Sequence, residues 1–168
     1  MSERGIRLVY GGGKVGLMGE MSRTAMSVGG EVIGVIPQGL LSREKGDPDI
    51  TRLEVVSTMH ERKARMAELA DGFVALPGGY GTLEEFCEVL TWAQLGIHAK
   101  PVALMNVARY FDPLLALFNH AVREGFLQPQ YRQLVLVRET AGSLLDALEE
   151  WRPVAIEPWQ AGEAALGT

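Results

Sequence analysis

A pair of cations and one carboxylate are the side chains best placed to do chemistry. Arg62 and Lys63 stand in "STMHERKARMAELA", near the first turn of a segment with helical period. Cations there oppose the helix dipole and are mildly unfavourable without an anion nearby. They also fall at i+3 and i+4 from Met59, with Met66 at i+7, so helical period puts them on the apolar stripe. Two readings follow: the stripe rolls and both point into water, or they line a cleft that receives an anionic ligand.

The carboxylate is Glu85, in "LPGGYGTLEE". Here the chain leaves a buried-type strand, turns through Gly78, Gly79 and Gly81, and enters a helix that Thr82 is expected to cap. Adjacent glycines permit positive φ and close backbone approach, and unpaired first-turn N–H groups favour a negative ligand. This is a phosphate cradle in outline. Thr82 and Glu85 also match a T-x-x-E capping box, in which the carboxylate only satisfies the cap residue's N–H. Thr58 and Glu61 match the same pattern. Cys87 falls on the stripe Leu83, Phe86, Cys87, Leu90 and is expected to be a packed core side chain rather than a nucleophile.

A second glycine cluster, "YGGGKVGLMG", contains a formal GxGxxG at Gly11, Gly13 and Gly16 after a strand and before a helix. The acid that a dinucleotide site needs about 20 residues on is absent, since the next strand ends in "VIPQG". Lys14 is followed by Val15, so the P-loop ending fails as well. What remains is a turn whose N–H groups, with Gly12 and Gly13 as phosphate-binding candidates, face an anion, or a tight turn with no ligand. His60, His98 and His120 form no metal-ligand motif, and neither a metal nor another cofactor is expected.

The elements that must position these groups alternate between strand and helix, the pattern of βα units around a parallel sheet. Strands are expected at 6–10, 31–36, 52–56, 72–76, 101–105 and 134–137, and helices over 16–28, 59–70, 82–95, 111–124 and 141–151, with "TAGS" capping the last. The stretch "PQGLLSREKGDPDI" reads as a long loop, of the kind that often carries function. Length and 47% hydrophobic residues fit one α/β domain over 1–157, with an aperiodic tail from Pro158. A net charge of −5 with no basic tract argues against nucleic acid, and the single cysteine rules out an internal disulfide. "MSERGIRLVY" lacks the features of a signal peptide and no apolar run reaches about 20 residues, so a cytoplasmic location without membrane contact is expected.

With "MHERK", "PGGYGTLEE" and "TWAQLGIHAKPV" together, the chain closely resembles the LOG (Lonely Guy) family, cytokinin riboside 5'-monophosphate phosphoribohydrolases. The resemblance runs from "GIRLVYGGGKVGLMG" through "EGFL", and the PGGxGTxxE signature is its most specific part. It implies a Rossmann-like doubly wound sheet with helices on both faces. It also implies hydrolysis of the N-glycosidic bond of a nucleoside 5'-monophosphate, releasing an adenine-type base and ribose 5-phosphate. By position, the catalytic arginine falls on Arg62 and the catalytic glutamate on Glu85. Further ligand contacts fall on Glu44, Lys63, the run Gly78, Gly79, Tyr80, Gly81, Thr82, Leu83 and Glu84, and Thr91. Some family members carry a lysine decarboxylase label, but nothing in the residues independently supports pyridoxal chemistry.

Family members usually begin with an extra strand, ending in a Gly-Ser-Ser turn, and then a helix. By that comparison this chain starts inside the helix and lacks the strand, which is expected to lie in the middle of the sheet. The family also implies at least a homodimer, with "WAQLGIH" (Trp92 to His98) as a candidate contact surface or as ordinary internal packing. A nucleotide-binding or carrier module using the same cradle is the alternative function. A NAD-linked oxidoreductase is disfavoured by the missing acid.

Overall fold

A computed structural model describes residues 2–153. The chain divides into two compact units, Met1–Ala70 and Asp71–Thr168. Both are α/β with parallel strands, as the alternating pattern predicts.

The first unit contains β1 (Leu8–Tyr10), α1 (Gly16–Ser27), β2 (Val32–Pro37), β3 (Arg52–Val56) and α2 (Met59–Leu69). Its sheet has the order β1-β2-β3, with Leu8 opposite Val32 and Ile33 opposite Arg52. Every residue of β2 is buried. An unbroken apolar run of this kind belongs to a parallel strand covered on both faces. Helix α1 packs on β1 and β2, and α2 packs on all three strands. Tyr10, Val32 and Ile50 form a core cluster to which α1 adds Met18 and Met26. The Thr58 capping box forms: its side chain accepts from the Glu61 N–H at 3.1 Å. The Glu61 carboxylate accepts from the Ser57 N–H at 2.7 Å, one residue before the cap.

The second unit contains β4 (Phe73–Ala75), α3 (Tyr80–Gln94), β5 (Val102–Met105), α4 (Asp112–Arg123), α5 (Pro129–Arg132), β6 (Val135–Arg138) and α6 (Ala141–Glu150). The sheet order is β4-β5-β6, with Phe73 opposite Val102 and Val102 opposite Val135. Phe86, Val102, Leu104, Phe111 and Val135 make the core. Leu83, Val89, Leu90 and Ala93 of α3 pack against it. Thr140 caps α6 by accepting from the Ser143 N–H, as "TAGS" predicts.

The expected strands and helices are found within two residues at their ends. The six strands are shared between two three-stranded sheets, because β1 pairs only with β2 and β4 only with β5 among the described residues. The long loop after β2 holds a 3₁₀ turn, Gln38–Leu40, and among the described residues no α-helix or strand before β3. Helix α5 was not expected; Pro129 at its start supplies the preset φ of a first helical residue. The tail from Pro158 lies outside the described residues. Among the described residues no helix is long and apolar enough to cross a membrane.

Candidate functional site

In the first unit the groups of interest converge on the turn after β1. Gly12 has φ +76°, the left-handed region that favours glycine. A side chain at Gly11 would collide with the Arg62 guanidinium. That guanidinium therefore occupies the space that glycine leaves over the turn. Arg62 is only 6% exposed, so the apolar-stripe position buries it instead of rolling it into water. Its Nη2 lies 4.0 Å from Glu44 Oε2 and its Nη1 lies 3.7 Å from the Met59 sulfur. Arg62 Nε and Glu44 Oε2 are buried and have no hydrogen-bond partner among the described residues. A buried cation that lacks full pairing is costly. Its spare donors are what an anionic ligand would need. Lys63, the next residue, is half-buried.

The glycine turn itself is occupied by the loop after β2. The Lys14 N–H donates to the Glu44 carbonyl at 3.2 Å, the Asp47 N–H donates to the Gly12 carbonyl at 2.9 Å, and Gly13 pairs with Gly46 in an isolated bridge. Asp47, 2% exposed, accepts from the Ser22 hydroxyl at 2.9 Å. Lys14 pairs with Asp49 at 2.5 Å, which pushes the lysine pKa up. These bonds bring Glu44 to Arg62. Gly11, Gly12 and Gly13 are all buried, and the turn is closely packed within its own unit. Tyr10 beneath it has its pKa raised, chiefly by burial.

In the second unit the PGGYGT stretch departs from expectation in one respect. Helix α3 starts at Tyr80, two residues before the expected Thr82, with Gly79 as N-cap. The Leu83 N–H reaches the Gly79 carbonyl at 3.2 Å, which closes the first turn early. Thr82 thus lies inside the helix, and the T-x-x-E box with Glu85 is not the cap. Gly79, as N-cap, makes no side-chain cap hydrogen bond. Its first N–H groups lack intrahelical partners, and the positive end of the helix dipole lies there.

The three glycines play different parts. None has positive φ. A side chain at Gly78 would collide with the Thr82 hydroxyl, whereas Gly79 and Gly81 have nothing within 4 Å of where a Cβ would stand. Neither conformation nor packing requires glycine at 79 and 81. Open space beside the start of α3 is what those two exposed glycines provide. Tyr80 between them is 93% exposed. Leu83 packs into the core, Glu84 is exposed, and Glu85 is half-buried on the following turn.

Thr91 stands apart from this turn. It lies nine residues beyond Thr82 on the same helix, about 13 Å along the axis at 1.5 Å per residue. Its hydroxyl donates to the Cys87 carbonyl at 2.7 Å. Cys87 is exposed and not in the core. The buried stripe runs through Leu83, Phe86 and Leu90, and Cys87 sits about 100° past Phe86, at the stripe's edge. Partial burial, with the Glu84 charge adding to it, pushes the thiol pKa up. A protonated thiol is a poor nucleophile.

Cys87 and Thr91 instead line an apolar groove of about 230 Å³ with Leu90, Phe118, Leu127 and Tyr131. Beside it Phe126 is 89% exposed. Sequence reasoning missed this groove, because it depends on α3, α4 and α5 coming together. The "WAQLGIH" stretch is divided. His98 Nε2 lies 2.9 Å from the Val89 carbonyl and its ring packs on Phe73, while Leu95 and Ile97 are exposed. Burial lowers the His98 pKa. No cluster of three or more His, Cys, Asp and Glu that could hold a metal occurs among the described residues.

A family model described as "Possible lysine decarboxylase" matches residues 18–148. The probable cytokinin riboside 5'-monophosphate phosphoribohydrolase LOGL5 of Oryza sativa subsp. japonica is 55% identical over 151 residues, 90% of this chain and 61% of that protein. The cytokinin riboside 5'-monophosphate phosphoribohydrolase LOG of the same organism is 54% identical over 151 residues, 90% of this chain and 62% of its own length. LOG3 of Arabidopsis thaliana, named for the same activity, is 51% identical over 150 residues, 89% of this chain and 70% of its own. The chain thus spans 61% to 70% of the length of these three relatives. With the family model covering most of its residues and such relatives more than half identical along 89% or more of it, this chain belongs to the LOG family.

Proposed function

We propose that the chain hydrolyses the N-glycosidic bond of an adenosine 5'-monophosphate, N6-modified or plain, to a free base and ribose 5-phosphate. The observation that carries this reading is the uncapped start of α3, with open space at Gly79 and Gly81 and a carboxylate on the next turn. The 5'-phosphate binds the N–H groups of the run from Gly78 to Thr82, and the helix dipole favours its charge. Phosphate contacts hold the remote sugar for reaction, so binding energy is used for orientation. Glu85 stabilises the positive charge that develops on the ribosyl ring as the base departs, and orients the attacking water. Arg62 supplies charge-assisted donors to the substrate, with Lys63 adding to the local positive charge and Glu44 holding the guanidinium.

Gly12 and Gly13 act through packing in this scheme, since the loop after β2 takes up the polar groups of their turn. This also weighs against a NAD-linked reading. The protein acts as a homodimer or higher homo-oligomer in the cytoplasm. The apolar groove beside Phe126, with exposed Leu117 on α4, is a better contact surface than the divided Trp92 to His98 stretch.

Incubating the purified chain with AMP and its N6-isopentenyl analogue, and separating the products, tests the reading. Release of free base with ribose 5-phosphate supports it. Nucleotide binding without release would favour a carrier module of the same fold.

A further inference from the structure

We propose that Tyr110 is a positioning residue that sets the orientation of the Gly78–Gly79 peptide and so aims the Gly79 N–H at the ligand's phosphate. The inference rests on the reading of the start of α3 as a phosphate cradle. Its basis is a hydrogen bond from the Tyr110 hydroxyl to the Gly78 carbonyl, at 2.7 Å across 32 positions of sequence.

The carbonyl of Gly78 and the N–H of Gly79 belong to one peptide unit, which is trans like every other peptide among the described residues. In a planar trans peptide the two groups point in opposite directions. Fixing the carbonyl on Tyr110 therefore fixes the N–H on the other side. Glycine on both sides of a peptide lowers the steric barrier to rotating it end over end. Without an anchor, the N–H would divide its time between facing a ligand and facing away. Donation to the carbonyl also polarises the peptide and strengthens its N–H as a donor.

Tyr110 is itself held firmly, although it is half exposed. Its ring stands edge-on to Phe111, with centroids 5.0 Å apart, and Phe111 is buried in the core. Asn106, a buried polar residue at the end of β5, accepts from the Phe111 N–H at 2.7 Å and donates to Asp112 at 2.8 Å. Arg109 donates to the other Asp112 oxygen at 2.6 Å. Between them Ala108 and Arg109 take left-handed φ values of 50° and 62°, which non-glycine residues seldom adopt in succession. A buried asparagine and a strained turn together present one phenol to one carbonyl. Local strain of this kind is retained where the surroundings over-determine the conformation.

Tyr110→Phe removes the hydroxyl and keeps the ring on Phe111. The probe is ribose 5-phosphate, titrated against the full chain and the variant, alongside turnover of AMP and a thermal melt. The expected result is about tenfold weaker ribose 5-phosphate binding and a similar rise in KM, with kcat changed by less than about twofold and the melt nearly unmoved. Unchanged binding with a lowered melting point would overturn the inference and make Tyr110 a structural tie. A fall in kcat at constant KM would overturn it as well. A wild-type chain that does not bind ribose 5-phosphate would remove the cradle reading and this inference together, whereas tight wild-type binding that the variant shares removes this inference alone. A second measurement needs no variant: the Gly79 amide resonance of ¹⁵N-labelled protein should move when inorganic phosphate is added, and a stationary Gly79 would overturn the proposal.

Discussion

Replacing Gly81 by alanine should make the protein more stable and less active. Gly81 is the second residue of α3, with no atom within 4 Å of the position a Cβ would take and no positive φ to preserve. Alanine in a helix is favoured over glycine by about 0.5–1 kcal/mol, because less backbone freedom is lost on folding. For a chain of this size that corresponds to a rise in melting temperature of roughly 1–4 °C. The same methyl group occupies space over the first-turn N–H groups where the phosphate is to sit. A misplacement of about 1 Å can cost up to 10²-fold in rate, so KM for AMP should rise and kcat/KM should fall by about tenfold or more. Gly78→Ala is the contrasting variant: its methyl group meets the Thr82 hydroxyl, so stability falls along with activity. Circular dichroism melts and ribose 5-phosphate titrations of both variants provide the comparison. A stabilised Gly81→Ala protein with unchanged affinity would refute the claim that this space belongs to a ligand.

Arg62→Met should abolish turnover and lower stability only modestly, because it removes a buried, incompletely paired cation and keeps most of its volume, but leaves the buried Glu44 oxygen without its counter-charge. A large loss of stability in denaturant unfolding would mean that the arginine is there for the fold. Thr58→Ala removes the cap of α2 and should cost about 1 kcal/mol in the same assay. The Asp112 carboxyl is held below its ordinary pKa by the Asn106 hydrogen bond first and Arg109 second. A depressed carboxylate stabilises the fold fully above its unfolded pKa of about 3.9 and loses that contribution as pH falls through the folded value. The melting curves of wild type and Asp112→Asn should therefore differ at neutral pH, with the difference shrinking as pH falls below about 4 toward the depressed folded value.

Much of the fold was legible in the sequence because two simple periods dominate it. "EVIGVI" is too apolar for a strand with a wet face, and β2 is buried along its whole length. "STMHE" and "TAGS" announce helix starts that form as written. The start of α3 misled because Thr82 and Glu85 satisfy a local rule. The Gly79 carbonyl offers an earlier closure that needs no side chain. Cys87 was misplaced for a related reason: one residue past Phe86 crosses the edge of a helical stripe, and periodicity defines edges poorly. Tyr110 carries no sequence signal at all. Its hydroxyl meets Gly78 across 32 positions, and only the turn built by Asn106, Ala108 and Arg109 brings them together.

The carboxylate at the next turn of α3 carries the proposed chemistry. Glu85→Gln keeps size and shape and removes the charge, so a chromatographic assay of this variant beside the wild type, with AMP and its N6-isopentenyl analogue, isolates the role of that charge. Base and ribose 5-phosphate are expected from the wild type and none from the variant, with ribose 5-phosphate binding retained in both. Near wild-type release of base by Glu85→Gln would contradict that role.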